Sequence, residues 1–347
     1  MTDTFTGWAA PAKGEPLVQM ELKLRTWDED CVDIDITHCG ICASDIYTID
    51  EGWGPTDYPC VAGHEIVGVV TRVGKSVKKI QVGDRVGVGP QCDSCRECDT
   101  CKEGFENVCE KVATTTYNAK WRTGDKTYGG YADKWRGDYR WVFKIPDNMS
   151  NKDAACFFCA GITTYAPLKH GGVNENSVVG ILGIGGLGHF AILFAKAMGA
   201  TVVGMSHNDK KRDYADDLGC DGYINTEVVE DMAKYKHKLT HILCTGTGKD
   251  FQWEPYLELL HVNGQFMNVF LPGWKFPQIA PFALIANQVS ISGSAAGSPG
   301  EMQEMIDFAA ERGIKPWITK YKMSDINKAI ADFRAGLPKF RFVLENE

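Results

Sequence analysis

Gly183-Ile184-Gly185-Gly186-Leu187-Gly188 leaves the chain around it few ways to fold. A G-x-G-x-x-G pattern is weak alone, but here an apolar run, Val178–Leu182, leads in and a helical stretch, 189–198, leads out. Strand, tight turn and helix in that order form a dinucleotide-binding unit. Gly183 makes the turn, Gly185 lets backbone approach a pyrophosphate, Gly188 lets helix and strand pack closely, and the helix N-terminus presents its positive dipole end. Gly186 and Leu187 complete the loop. Apolar runs continue at 201–205, 242–244, 266–271 and 289–291, with a charged helical stretch at 210–218. That alternation predicts a parallel sheet with crossover helices, the doubly wound α/β arrangement.

An NAD site commonly carries an acid at the tip of the second strand, accepting from the ribose 2′-hydroxyl. Here that strand ends in Ser206-His207-Asn208, followed by Asp209-Lys210-Lys211-Arg212. Ser206, His207 and Lys211 suit a 2′-phosphate, which favours NADP(H). Asp209 is the contrary feature, since a short shift of the loop would present it to the ribose. Arg212 reads as part of a solvated first helical turn.

The first 150 residues have another texture. Val32-Asp33-Ile34-Asp35-Ile36 alternates as a strand with one buried face, 66–70 continues in that style, and Gly83-Asp84-Arg85 turns into Val86-Gly87-Val88. No helical period of useful length appears, so this part is β-rich. Within it, Cys95, Cys98, Cys101 and Cys109 form C-x2-C-x2-C-x7-C, a spacing that closes a tetrahedron around Zn²⁺ locally. Bacterial iron–sulfur loops open alike but continue x3-Cys-Pro, whereas here the gap is seven and Glu110 follows. Cys92, just outside, reads as a spare thiol. Thirteen cysteines in a chain of 347 residues suit metal thiolates and buried thiols better than a disulfide framework.

A formal charge of −8 argues against nucleic-acid or anionic-membrane partners. No apolar run approaches the roughly 20 residues of a membrane span. Met1-Thr2-Asp3-Thr4-Phe5 lacks the features of a signal peptide, so a cytoplasmic location is expected.

Two further motifs, His38 to Asp45 (HCGICASD) and Gly63 to Gly68 (GHEIVG), precede the four-cysteine loop; Cys159 to Leu168 (CAGITTYAPL), the glycine loop through Ala200, and Lys339 to Leu344 (KFRFVL) follow it. In this order they resemble the zinc-containing medium-chain dehydrogenase/reductase superfamily, within it the cinnamyl alcohol dehydrogenases and fungal NADPH-dependent alcohol dehydrogenases, over nearly the whole chain. The resemblance implies a GroES-like catalytic domain over 1–153, a Rossmann NADP(H)-binding domain over 154–293, and a segment, 294–347, returning to the first. It implies two zinc ions. Cys42, His64 and Cys159 would hold the catalytic one, with Glu65 or a water or substrate oxygen in the fourth place, and Asp45 would orient His64. Ser44 would begin a proton relay. Many relatives place a histidine at its outer end where Tyr47 stands here, and a phenol of reference pKa about 10 is a poorer shuttle. Thr163 resembles a residue at the nicotinamide end, with a helix-capping or core role as the alternative. Cys156 reads as a buried thiol.

The activity so implied is hydride transfer between NADP(H) and a primary alcohol or aldehyde, aromatic (cinnamyl or benzyl type) or medium-chain aliphatic. The alternative is an NAD-dependent polyol or secondary-alcohol dehydrogenase of the same superfamily. Trp53, Trp121 and Trp274, in glycine- or proline-flanked loops, are candidates to line the substrate pocket. The resemblance further implies a homodimer, joined along the last strand of the nucleotide sheet near residues 287–291.

Overall fold

The computed structural model describes residues 3–337 and 339–347; Met1 and Thr2 of the N-terminal stretch lie outside them. The chain forms two compact units, Met1–Cys159 with Gly297–Glu347, and Ala160–Ala296. The first division falls after Cys159 rather than after 153, which leaves Cys159 in the same unit as Cys42 and His64.

In the first unit the spine is the strand Cys31–Ile41. It pairs antiparallel with Glu65–Val73 along one edge; along the other it pairs with Lys134–Asp138 near its start and Arg341–Glu345 near its end. The sheet continues through Arg85–Val88 to Phe143–Lys144, and Ile318–Lys322 flanks Arg341–Glu345 in parallel. Asp33 and Asp35 stay accessible while Val32, Ile34 and Ile36 enter the core with Ile66, Val86 and Val88. Each such buried aliphatic side chain contributes about 1.5–3 kcal/mol. One expectation fails here. The helix Ala43–Ile49 follows directly on the spine strand. Two turns are too short to show a hydrophobic period, so a reading by periodicity passes over it.

The second unit is a six-stranded parallel sheet in the order Gly222–Asn225, Thr201–Ser206, Val178–Leu182, Leu239–Cys244, Leu260–Asn268, Ser290–Gly293. Strand order reverses between Val178–Leu182 and Leu239–Cys244, the switch point at which open α/β sheets bind ligands. The helix after the glycine loop runs Gly186–Ala197, three residues earlier than its apolar stretch suggests. The apolar run 266–271 outlasts its strand, which ends at Asn268. The Asn268 side-chain amide donates to the Phe270 carbonyl and turns the chain, leaving Leu271 65% exposed. Ser290–Gly293 is the sheet edge and is exposed throughout.

Candidate active site

In the first unit Cys42, His64, Glu65 and Cys159 each place a donor atom within 4.8 Å of the others, and all four are buried. Cys42 caps the helix Ala43–Ile49, and its backbone N–H donates to Asp45 Oδ2 at 2.8 Å. Gly63, at φ +92°, turns the chain into the strand that begins at Glu65; a Cβ on it would lie 2.6 Å from the Tyr131 ring. Cys159 follows the short helical passage Asn151–Ala155 and Cys156–Phe158.

Asp45, fully buried, joins these segments. Its Oδ1 accepts the Gly63 N–H at 3.1 Å and lies 3.0 Å from His64 Nδ1, while Oδ2 accepts the Cys42 N–H and, at 2.7 Å, the Tyr131 hydroxyl. The Tyr117 hydroxyl also lies 3.0 Å from Nδ1. With Nδ1 committed to the carboxylate, Nε2 is the ring nitrogen left for a ligand, and it is buried without a hydrogen-bond partner.

Cys42 Sγ and Cys159 Sγ are 3.8 Å apart. That is far longer than a disulfide, and it matches the tetrahedral edge of about 3.8 Å that a Zn–S bond of about 2.3 Å requires. The hydrogen bond from Cys159 holds the Cys42 thiol well below its ordinary range and raises Cys159, so two sulfurs compete for one proton. A divalent cation resolves such a competition. Two sulfurs, an orphaned imidazole nitrogen and a carboxylate therefore fit zinc.

Glu65 faces two ways. Its Oε1 accepts from the buried Arg341 guanidinium, whereas Oε2 is buried without a partner. Burial raises the Glu65 carboxyl and Arg341 draws it back toward the ionised form. A Cβ on Gly40 would fall 1.9 Å from Oε2, so only glycine leaves room for this carboxylate.

The second cluster is local. Cys95, Cys98, Cys101 and Cys109 place their sulfurs within 4.8 Å of one another, with Cys95–Cys101 and Cys98–Cys109 each at 3.9 Å. Backbone N–H groups point at the sulfurs: those of Glu97 and Cys98 at Cys95, and those of Cys95 and Val112 at Cys109. Burial opposes the Cys109 thiolate, but backbone donors led by Val112 outweigh it and bring the thiol to about 6. This is an all-thiolate cage suited to a structural zinc.

In the second unit the glycine loop has the required backbone. Gly183 sits at φ +90°, a Cβ on Gly188 would collide with the Gly183 carbonyl at 1.9 Å, and a Cβ on Gly185 would point into open space, where a phosphate needs the backbone bare. Ser206 ends its strand nearly buried, His207 is exposed, and Lys211 lies 5.4 Å from the Tyr214 ring centroid. Asp209 is bonded to Arg212 and Asn225.

Residues 28–147 match the family model for the alcohol dehydrogenase GroES-like domain, and residues 186–311 that for zinc-binding dehydrogenases. The chain belongs to the zinc-binding alcohol dehydrogenase family. Among relatives, NADP-dependent alcohol dehydrogenase C 1 of Mycolicibacterium smegmatis is 41% identical over 344 residues, 99% of this chain and 98% of that one. The 8-hydroxygeraniol dehydrogenase of Catharanthus roseus is 39% identical, with 98% and 94% covered. Among solved structures, the cinnamyl alcohol dehydrogenase of Sorghum bicolor aligns with a TM-score of 0.93 at 35% identity, covering 99% and 97%. A Helicobacter pylori CAD complexed with NADP(H) aligns at 0.90 and 34%, covering 99% of each chain.

The other expected residues of this alcohol dehydrogenase fall out unevenly. Ser44 Oγ lies 3.6 Å from Cys42 Sγ, half-buried beside the donor cluster. Tyr47 stacks on Trp53, centroids 5.1 Å apart and planes 10° from parallel, and both rings are partly exposed. Trp121 is 4% exposed, packed against Trp135 and beneath the Arg25 guanidinium, where it lines a small cavity with Phe5, Tyr128 and Arg136. Its glycine-flanked loop folds back onto the sheet, with the Trp121 N–H donating to the Asp125 carbonyl. Trp274 packs on Phe270 within the second unit, and Thr163 is half-buried on the helix Ala160–His170. Cys92 and Cys156 are buried thiols. Arg212 is not merely solvated, since it pairs with Asp209 and lies over Tyr223. The roles of Tyr117, Tyr131, Arg341 and Gly40 were not legible locally, although Gly40 and Arg341 stand within two of the quoted motifs; each acts across a long sequence separation.

Proposed function

We propose that this protein is a zinc-dependent alcohol dehydrogenase and aldehyde reductase that interconverts a primary alcohol and its aldehyde with NADP(H). The observation that carries the reading is the buried set of Cys42 Sγ, Cys159 Sγ, His64 Nε2 and Glu65 Oε2, two of whose atoms have no partner within the protein. Cys42, His64 and Cys159 would hold the catalytic ion, with Glu65 or a substrate oxygen completing it, and Cys95, Cys98, Cys101 and Cys109 would hold the structural one. When bound, zinc supplies Lewis acidity toward a carbonyl oxygen and the nicotinamide supplies the hydride.

The chain's own residues do the rest. Asp45 keeps His64 in the tautomer that leaves Nε2 bare. Ser44 Oγ, beside Cys42 and still reached by solvent, relays a proton, giving one to the substrate oxygen in reduction as it takes one from solvent, and the reverse in oxidation. Tyr47, stacked on Trp53, serves as aromatic surface, and the proton passes between Ser44 and solvent. The pair suits aromatic or medium-chain apolar aldehydes. Gly183, Gly185, Gly186, Leu187 and Gly188 would cradle the pyrophosphate, Ser206, His207 and Lys211 would receive the 2′-phosphate, and Thr163 would serve the nicotinamide end.

A homodimer joined along the exposed edge Ser290–Gly293 fits the apolar surface there, with Ile291 37%, Ile285 67% and Phe282 74% exposed. Thirteen cysteines with no disulfide among the described residues fit a reducing, cytoplasmic location. No helix among the described residues is long and apolar enough to cross a membrane.

The test is metal analysis combined with initial rates for a panel of aldehydes and alcohols, each with NADPH and NADH. About two zinc ions per chain and a clear NADPH preference are expected. Iron in place of zinc, or an active zinc-free protein, overturns the metal assignment. Equal efficiency with NADH overturns the cofactor assignment.

A further inference from the structure

The loop from Ser206 to Arg212 carries one carboxylate, Asp209, among three cationic residues. It follows the second strand of the nucleotide sheet, where an acid accepts the ribose 2′-hydroxyl of NAD and repels the 2′-phosphate of NADP. The Asp209 carboxylate is already held. Its Oδ1 accepts from Arg212 Nε at 3.1 Å and from the terminal guanidinium nitrogen at 2.7 Å, and its Oδ2 accepts the Asn225 side-chain amide at 3.1 Å.

Both holders have further contacts, although the Arg212 and Asp209 side chains are 41% and 60% exposed. Asn225 is 7% exposed at the end of the strand Gly222–Asn225; its N–H donates to Asp231 and its side-chain oxygen accepts the Glu227 N–H. The Arg212 guanidinium lies 4.5 Å from the Tyr223 ring centroid, and the Tyr223 hydroxyl donates to the Asn208 carbonyl at 2.5 Å. Sheet order gives the direction. Gly222–Asn225 and Val178–Leu182 flank Thr201–Ser206 on opposite sides, and the glycine loop continues from Val178–Leu182. The Asn225 contact thus holds Asp209 at the tip of Gly222–Asn225, the strand on the far side of Thr201–Ser206 from Val178–Leu182.

We infer that Arg212 and Asn225 are a clamp that withdraws Asp209 from the cofactor and so sets the preference for a 2′-phosphate. They are positioning residues for cofactor choice, and the inference rests on the NADP(H) reading above. Held this way, Asp209 has its charge paired by Arg212 and both oxygens engaged, which weakens its hold on a ribose hydroxyl and its repulsion of a phosphate and leaves Ser206 and Lys211 to read the 2′ position. Releasing Asp209 returns a mobile negative charge to the loop.

The experiment measures binding of 2′,5′-ADP and of ADP to the full-length zinc-loaded protein by calorimetry, without turnover. The wild type should bind 2′,5′-ADP at least roughly tenfold more tightly. Arg212→Ala should reduce that ratio by roughly tenfold, mainly through weaker 2′,5′-ADP binding. Asp209→Asn alone should leave the ratio within about twofold of wild type, and the double variant Asp209→Asn/Arg212→Ala should restore it to within about threefold. The double variant separates the clamp from direct contact, because an arginine that itself touched the phosphate would stay lost. A double variant as weak as Arg212→Ala, or an Arg212→Ala ratio equal to wild type, overturns the clamp while leaving the NADP(H) reading intact. A wild type that binds both ligands equally overturns that reading and the clamp with it.

Discussion

Asp45→Asn replaces one buried acceptor by an amide of the same shape, and the consequences follow from its four partners. The carboxylate receives the Gly63 N–H and His64 Nδ1–H on one oxygen and the Cys42 N–H and Tyr131 hydroxyl on the other. In the better of its two orientations the amide oxygen keeps Gly63 and His64, and the NH2 faces Cys42 and Tyr131. The tyrosine hydroxyl can turn to accept. The Cys42 N–H cannot, and it is left without an acceptor at a cost of about 1–3 kcal/mol. The acceptor facing His64 also loses its charge, which makes the imidazole a poorer ligand, and supporting groups of this kind are worth about 10–100-fold in metal affinity. The assay is zinc transfer to a chromophoric chelator, with urea unfolding alongside. Two kinetic pools are expected, because the Cys95–Cys109 cage has no contact with Asp45 and serves as the internal reference. In Asp45→Asn the catalytic pool should leave about 10–100-fold faster while the structural pool keeps its wild-type rate. If both pools leave at wild-type rates with unchanged stability, Asp45 does not orient His64. If both accelerate together, the effect is general destabilisation, and the argument fails as well.

Cys42→Ala should lower zinc content from about two ions per chain to about one and abolish turnover while far-ultraviolet circular dichroism stays unchanged; full retention of metal would contradict the ligand set. Gly188→Ala forces a Cβ to 1.9 Å from the Gly183 carbonyl, so denaturant unfolding should show a loss of about 1–3 kcal/mol together with weakened cofactor binding. Light scattering should report about twice the 38.3 kDa chain mass, and Ile291→Lys at the exposed sheet edge should shift it toward the monomer. A monomeric wild type at micromolar concentration would refute the edge pairing.

What the sequence disclosed depended on how far apart the cooperating residues stand. The Cys95–Cys109 cage closes over 15 residues, so its spacing alone announces a metal site, and the glycine loop likewise carries its strand and helix beside it. Cys159 stands 117 residues from Cys42, a separation no spacing rule spans; resemblance alone linked them before the fold brought their sulfurs to 3.8 Å. The partners of Tyr131, 86 residues from Asp45, and of Arg341, 276 from Glu65, stayed hidden for the same reason, even though Arg341 stands within the KFRFVL motif. Trp121 shows the limit of a loop pattern, because flanking glycine does not reveal how deeply the ring is buried. The same distinction bears on how the two ions act on the fold. Closing a loop costs about (3/2)RT ln n in chain entropy, so bridging over 100 residues costs only about 2 kcal/mol more than bridging 15. That difference is small beside the energy of a zinc–thiolate set. What holds the distant ligands together is therefore the sheet itself: Cys42 follows the spine strand, and His64 directly precedes the strand paired with it in register at Gly40 and Glu65. The catalytic donors stand on a framework that packs by hydrophobic burial. The structural cage instead sits in a loop whose buried cluster is little more than the four cysteines. Stripping the catalytic ion should accordingly leave its donors near their places, whereas stripping the structural ion should loosen residues 95–112, a contrast that amide hydrogen exchange on the two metal-depleted forms would reveal or refute.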